Sequence, residues 1–128
     1  MIEVVHLTKR YDNKMVLEDL NVTFESGKVY GLVGPNGCGK STLMRCICGF
    51  TKPTSGHISV LGKRIGFDCD FAPSTGIIIE TPGFLPKYSA RRNLGILAGT
   101  SGKVSKERID EVIHLVGLDP KEKKPVGK

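Results

Sequence analysis

The sequence predicts an α/β fold in which strands come first, a phosphate-binding loop follows, and helices end the chain. Leu20, Val22 and Phe24 alternate with polar residues, which is the period of a half-buried strand. A glycine-rich loop at residues 34–42 then separates a short apolar run from a segment of helical spacing. This succession of strand, loop and helix is the context in which a glycine-rich loop binds phosphate.

Three further apolar segments indicate strands. Residues 29–33 form a continuous apolar run, which favours a strand covered on both faces. Ile58 and Val60 alternate with polar residues after a turn at 53–56, and residues 77–79 are three consecutive isoleucines. We therefore expect a buried strand directly before the loop and another at 77–79.

Two segments have helical spacing. After the loop, Leu43, Ile47 and Phe50 share one face, and Gly49 offers a stop. The texture becomes helical again from Asn93, and Ser105 is a plausible N-cap for a last helix that ends at Gly117 and Pro120. The apolar residues predicted on one face of that last helix are Ile109, Val112, Ile113 and Val116.

The composition is that of a soluble globular protein of one small domain. The chain has 128 residues, 39% hydrophobic and 25% charged. No apolar stretch reaches the length of a membrane span, and Glu3 and His6 interrupt any apolar stretch that would resemble a signal peptide. We expect a cytosolic protein whose membrane role, if it has one, comes through a partner.

The formal net charge of +6 suggests an anionic partner at first sight. Four of the lysines, however, lie in the tail at 121–128, without interleaved aromatic residues. A solvated tail explains the charge better than nucleic-acid binding does, so no nucleic-acid partner is expected. The four cysteines (Cys38, Cys46, Cys48 and Cys69) lack paired ligand spacing, which favours reduced thiols over zinc ligands or disulfides.

Residues 34–41 match the phosphate-loop pattern G-x-x-x-x-G-K-[ST] in full. Glycines let the backbone turn tightly and aim its N–H groups at a phosphate, while the following helix presents its positive end. Lys40 is expected to reach the terminal phosphates and Ser41 to help hold Mg²⁺. The predicted nucleotide-binding residues of the loop are Gly34, Pro35, Asn36, Gly37, Cys38, Gly39, Lys40, Ser41 and Thr42.

Cys38 lies inside this loop, beside Lys40 and a helix start, and both neighbours favour a thiolate. A second interpretation is that cysteine is simply a small side chain that fits, and this is the one that we favour.

Several stretches resemble the ATP-binding subunit of ABC transporters. Residues 7–11 look like the opening strand of that family, residues 34–37 like its version of the loop, and residues 49–62 like the segment that follows. The resemblance covers essentially the whole chain. It implies ATP and Mg²⁺ as cofactors, with Tyr11 stacking on adenine.

Glu80 occupies the position, forty residues after Lys40, where the family has a glutamine. A glutamate there, with residues 81–84 and 93–94, resembles the bacitracin and lantibiotic-type branch of bacterial ABC exporters. The resemblance implies catalytic roles for Lys40 and Glu80, and it gives Glu80 together with Ser41 a role at Mg²⁺ or its water. A solvent-exposed carboxylate at a strand end is the alternative for Glu80.

The resemblance also divides the chain. Residues 1–80 correspond to the β-subdomain and the phosphate-loop core, and residues 81–128 to the start of the helical lobe. After Gly83 there is no apolar strand ending in Asp-Glu, no Leu-Ser-Gly-Gly-Gln-like signature and no switch histidine. We therefore expect a partial domain, cut short of those motifs, that binds nucleotide without turning it over.

Three alternatives remain open at this stage. Residues 77–83 resemble the apolar strand and Asp-x-x-Gly pattern of GTPases, with Glu for Asp, but no Asn-Lys-x-Asp guanine reader follows; Asn13-Lys14 precedes the loop and lacks the Asp. A binding module without enzymatic activity and a non-transport ABC protein are the others.

The resemblance implies partners for the whole protein. Membrane-spanning permease subunits would carry the substrate, and two ATP-binding subunits would close face to face on ATP. The protein would then lie on the inner face of the plasma membrane, with residues 82–92 as a candidate contact. Uncovered strand edges also predict that the chain dimerises or swaps segments.

Overall fold

A computed structural model of the chain describes residues 1–102 and 104–127, without the side chain of Ser101. It divides into two compact units, Met1–Glu80 and Thr81–Lys128. The elements of the first unit are β1 (Ile2–Tyr11), β2 (Lys14–Phe24), α1 (Lys40–Cys48), β3 (Ser55–Val60) and β4 (Lys63–Arg64). The second unit contains α2 (Ala90–Ser101) and α3 (Lys106–Leu115).

The four strands form one antiparallel sheet in the order β2-β1-β3-β4. Val4 in β1 lies opposite Val22 on one side and Ile58 on the other, so the predicted alternating strands meet at a shared central strand. The pairing of β1 with β2 shifts register after Val4, near His6, whose backbone has a positive φ of 48°. Such an irregularity bends and twists a strand locally.

The core of the first unit lies between the sheet and α1. Leu7, Ile58 and Cys46 are almost fully buried there. The helical spacing predicted after the loop is correct for Leu43 and Ile47, which are buried on the same face. Gly49 ends the helix in a left-handed conformation, as predicted, so Phe50 falls outside it and packs edge-on against Phe71 instead.

Two strand predictions are wrong. Residues 29–33 and 77–79 belong to no strand. Val29, Val33 and Ile78 are 102%, 97% and 74% exposed, so neither segment is covered on both faces. The physical reason is that a strand exists only through a hydrogen-bonded neighbour, and no named sheet in the described part of the chain includes these segments.

In the second unit, the predicted caps are in place and the boundaries differ slightly. Ser105 caps α3, and its side chain accepts a hydrogen bond from the N–H of Arg108 at 3.2 Å. The other helix, α2, begins at Ala90, three residues before the predicted helical texture. Ile109 and Ile113 are buried as expected, whereas Val116 is 67% exposed because the helix ends at Leu115.

The thiols of Cys38, Cys46, Cys48 and Cys69 are all free. Among the described residues, no group of three or more histidine, cysteine or acidic side chains is arranged to hold a metal ion. No helix in that same part of the chain is both long and apolar enough to cross a membrane.

Candidate functional site

The phosphate loop leads directly into the N-terminus of α1. The helix begins at Lys40, and its N-cap is Gly39, which has no side chain to accept the first backbone N–H groups. The last turn carries Arg45 and the first turn has no acidic residue. The positive end of the helix therefore faces the loop without an internal anion, which is the arrangement that binds phosphate.

Gly39 is the tightest position of the loop. Its φ is 100°, a backbone conformation that residues with a side chain rarely adopt. A Cβ there would lie 2.8 Å from Cδ2 of Leu17 and 2.9 Å from the carbonyl oxygen of Val16. Strand β2 therefore packs directly against the loop, and the glycine allows this close approach.

The side chain of Lys40 curls back over its own loop. Its ammonium donates hydrogen bonds to the carbonyl oxygens of Gly34 at 2.7 Å and Pro35 at 2.8 Å. The loop also closes on itself through the N–H of Cys38, which donates to the Pro35 carbonyl at 3.3 Å. The ammonium is thus held across the mouth of the loop.

A cavity of about 190 Å³ opens at this point. The loop and the first turn of α1 supply most of its lining, and Ser41 presents a hydroxyl there. The lining residues are Val16, Asn36, Gly37, Gly39, Lys40, Ser41 and Thr42. Backbone N–H groups, an ammonium and a hydroxyl are the donors that suit an anionic phosphate and, through Ser41, its metal ion.

Cys38 is exposed, and its sulfur lies 3.8 Å from the ammonium of Lys40. Burial raises the pKa of the Cys46 thiol, an effect that the positive charge of Lys9 partly offsets, and burial likewise raises the pKa of Cys48. The loop cysteine is therefore the accessible one of these three thiols.

Tyr11 ends β1 and is 44% exposed. The ammonium of Lys9 lies 4.6 Å from the centre of its ring, and the same ammonium donates to the carbonyl of Lys52 at 2.8 Å. An aromatic ring is thus present at the surface of the first unit. It is not among the residues that line the phosphate cavity.

Glu80 is at the end of the first unit and pairs with Arg45 of α1. Its carboxylate lies 3.5 Å from the Arg45 guanidinium, and the two side chains are 66% and 47% exposed. Glu80 has a φ of 64°, which is unusual for a residue with a side chain. Arg45 follows Ser41 by about one helical turn, in the last turn of α1, and neither Arg45 nor Glu80 lines the cavity.

A buried amide shapes the segment that precedes α2. Asn93 is only 4% exposed. Its side-chain nitrogen donates to the carbonyls of Leu85, Tyr88 and Ser89 at 3.1, 3.2 and 3.2 Å, and its oxygen accepts the Leu85 N–H at 2.8 Å. Four hydrogen bonds from one side chain fix the path of residues 85–89.

Sequence reasoning missed three contributions to the site. Val16 lines the cavity, and its carbonyl oxygen leaves no room for a side chain at Gly39. The sequence does not show this contact because only the fold brings β2 to the loop. Lys9 covers the ring of Tyr11. Arg45, which pairs with Glu80, carried a readable signal, because it follows Ser41 by four residues and must lie on the same side of the helix.

An α/β unit with a cavity between a phosphate loop and a helix N-terminus defines a P-loop nucleotide-binding protein. The family can be named as well. A sequence model described as ABC transporter matches residues 17–128, and the chain belongs to that family. This confirms the resemblance and the fold class inferred from the sequence.

Relatives and solved structures agree with this assignment. The chain is 42% identical over 119 residues to the ABC transporter ATP-binding protein YybJ of Bacillus subtilis (strain 168), covering 93% of the chain and 55% of YybJ. It is 40% identical over 129 residues to the bacitracin transport ATP-binding protein BcrA of Bacillus licheniformis, covering 100% of the chain and 42% of BcrA.

Among solved structures, the ATP-binding subunit of an ABC transporter superposes with a TM-score of 0.80 at 27% identity, over 98% of this chain and 54% of that one. A dimeric ATP-binding cassette bound to ADP and Pi superposes with a TM-score of 0.75 at 20% identity, over 93% of this chain and 58% of that one, which shows a common fold.

The chain spans about half the length of the curated relatives that it matches. Proteins of the ABC ATPase family bind ATP, and the site described above has the donors for that ligand. The comparisons give no support to the GTPase alternative.

Proposed function

We propose that the chain is the phosphate-binding part of an ABC transporter ATP-binding subunit, which binds Mg-ATP for substrate transport by the whole protein. The observation that carries the proposal is the cavity at the N-terminus of α1, where Lys40, Ser41 and the uncapped helix end converge. These groups suit a chain of phosphates far better than they suit a neutral ligand.

Each residue of the loop has a proposed task. The residues from Gly34 to Thr42, apart from Pro35, surround the phosphates with backbone N–H groups. Lys40 exchanges its loop carbonyls for phosphate oxygens, and Ser41 offers its hydroxyl to Mg²⁺. Bound Mg²⁺ supplies neutralisation of the charge on the phosphate oxygens. Tyr11 is proposed to stack on adenine with the ring face that Lys9 leaves open.

Glu80 is proposed as a catalytic and metal-facing residue that links the site to the following segment. Its support is the pairing with Arg45, one helical turn beyond Ser41, and its unusual positive φ. The carboxylate can turn from the guanidinium toward the metal region only by giving up this exposed ion pair, which contributes little stability.

The partners of the whole protein follow from the family and are proposals. Membrane-spanning permease subunits would hold the protein at the inner face of the plasma membrane from the cytoplasm, and residues 82–92 would contact them. The fixed path of residues 85–89, with Phe84 40% and Leu85 47% exposed, supports a contact of that kind. The dimeric ADP-bound neighbour supports pairing of two such subunits.

Two features limit what the residues 1–128 do by themselves. They contain no Asp-Glu strand and no signature segment downstream of Gly83, so water and a second subunit's contribution are not positioned. We therefore expect nucleotide binding without turnover in this chain and hydrolysis in the whole protein. The similarity to a bacitracin transport protein makes a peptide antibiotic the first substrate class to test.

Calorimetric titration of the full chain with Mg-ATP and Mg-GTP tests the proposal. Lys40→Ala removes a charged donor and should weaken ATP binding roughly tenfold to hundredfold. Lys63→Ala is the matched control, since it removes a lysine of β4 in the same unit. A phosphate-release assay should show no turnover. Equal ATP affinities for the two variants, or tighter binding of GTP, would contradict the proposal.

A further inference from the structure

A second cavity, of about 670 Å³, lies in the unit Thr81–Lys128, away from the phosphate loop in sequence. It is a groove between the start of α2, one side of α3 and the chain after α3. The charged residues that line it are Arg91, Arg92, Asp110, Lys121, Glu122 and Lys123. None of the roles proposed above involves the three lysine and glutamate residues at 121–123.

Side-chain hydrogen bonds hold two walls of this groove together. Arg91 of α2 donates to both carboxylate oxygens of Asp110 on α3, at 2.6 and 3.0 Å. The hydrogen bond from Arg91 and its positive charge lower the pKa of Asp110, so the bridge between the two helices persists into acidic solution.

The chain after α3 forms the opposite wall and is fastened at its end. The N–H of Val126 donates to the carbonyl of Tyr88 at 3.0 Å, and the N–H of Gly127 donates to that of Pro86 at 3.1 Å. Pro120 is buried. The lysine-rich tail keeps its exposed side chains, as a solvated tail would, but its backbone follows a defined path along the groove.

Three cationic groups of the groove remain without a carboxylate partner. No Asp or Glu of residues 1–102 or 104–127 lies within 4.0 Å of Arg92, Lys121 or Lys123 in an ion pair. Arg92 instead stacks over the ring of Tyr88, 4.1 Å from its centre. The first turn of α2 contains no acidic residue, so the helix end adds positive potential to the groove.

The shape and the charge pattern select among anionic occupants. A lipid bilayer is flat and contacts side chains that project from a protein surface, whereas these cationic side chains line a concave surface. Nucleic acid presents an unbroken row of phosphates, which would meet the carboxylate of Glu122 between Lys121 and Lys123. A peptide that carries one or two carboxylates among neutral residues fits the mixture of charges.

We infer that the groove between α2, α3 and the lysine-rich tail binds an acidic peptide segment of a protein partner. Lys121 and Lys123 pair with its carboxylates, and the stacked Arg92 presents a third donor. The inference rests on the proposed contact between residues 82–92 and a transporter partner, and it adds the chemistry that this partner must display.

Selection of short random peptides on the immobilised full chain tests the inference. The peptides retained should be enriched in Asp and Glu, and their affinity is then measured by fluorescence anisotropy. Lys121→Gln/Lys123→Gln should weaken binding about tenfold, since each exposed pair contributes modestly. Lys106→Gln/Lys124→Gln is the control, because it removes the same charge outside the groove.

Each other outcome decides against the inference. Peptides without acidic enrichment, or equal binding by the two double variants, would overturn it. So would binding of phosphatidylglycerol vesicles or single-stranded DNA through Lys121 and Lys123 in place of the peptides. Mg-ATP titration of the same variants should give the affinity of the unmodified chain, which separates failure of this inference from failure of nucleotide binding.

Discussion

Two isoleucine-containing segments of the first unit are alike in sequence and differ in structure. Ile58 lies in β3, pairs with Val4 and is 1% exposed, whereas Ile78 lies outside every strand and is 74% exposed. Both segments have the residues that strands favour. The difference is the neighbour, because β3 has β1 beside it and α1 above it. Strand formation in this chain is thus decided by pairing and cover rather than by propensity.

The largest effect expected from this comparison is on stability. Ile58→Ala should lower the free energy of unfolding by about 2–5 kcal/mol, because it leaves a cavity in the core. The same substitution at Ile78 should change it by less than about 0.5 kcal/mol, since that side chain already meets water. Urea unfolding followed by circular dichroism measures both. Similar losses in the two variants would mean that residues 77–79 are buried.

A smaller effect sharpens the comparison where the packed sheet meets the loop. Gly39→Ala should destabilise the chain by about 1–3 kcal/mol and weaken ATP binding, because the new Cβ meets Leu17 and Val16 and φ is positive. Gly37→Ala is the control: its φ of 82° is also positive, but no atom lies within 4 Å of the added Cβ. If both variants lose equal stability, contact with β2 does not constrain the loop.

The smallest effect is chemical and compares an exposed thiol with buried ones. Iodoacetamide at pH 7 should modify Cys38 at least about tenfold faster than Cys46 or Cys48. Mg-ATP should slow the reaction at Cys38 and leave the rate at Cys69 unchanged. Peptide mapping by mass spectrometry gives the rates. Identical Cys38 rates with and without ATP would rule out nucleotide at the loop.

The buried thiols add a pH dependence to this test. Because burial raises the pKa of Cys46 and Cys48 above the ordinary value of a thiol, both ionise at a higher pH than a cysteine in an unfolded chain, and their reaction should accelerate only in more alkaline solution. The neutral buried thiols are compatible with the fold at neutral pH. The free energy of unfolding should fall as the pH rises through the ordinary pKa of a thiol, because the unfolded chain ionises first.

The sequence was most informative where structure is local. The phosphate loop, the helix after it and the Ser105 cap depend on residues within one or two turns, and all three lie where the sequence predicts them. The division of strands was harder. Alternation identified β2 and β3, but the runs at 29–33 and 77–79 depend on neighbours that a sequence pattern does not reveal.

The same distinction applies to the candidate site. The residues of the cavity follow from the loop pattern, apart from Val16, which β2 delivers across a distance of more than twenty residues. The pairing of Glu80 with Arg45 joins positions far apart in the chain. The groove between α2, α3 and the tail is not visible in the sequence, because Lys121 and Lys123 have the pattern of a solvated tail and only the backbone hydrogen bonds to Pro86 and Tyr88 define the path of that tail.

The curled side chain of Lys40 has a consequence for selectivity among anions. Its ammonium already donates to two carbonyl oxygens, at 2.7 and 2.8 Å. Any arriving anion competes with these carbonyls, which belong to the same chain and lose no translational entropy on binding the ammonium. A chloride or a single phosphate replaces those bonds with little net gain. A polyphosphate has more oxygens than a single phosphate, so it can form more hydrogen bonds with the helix end and the neighbouring N–H groups while it displaces the same two carbonyls. We therefore expect the two carbonyl oxygens to compete with small anions for the Lys40 ammonium more effectively than they compete with a polyphosphate.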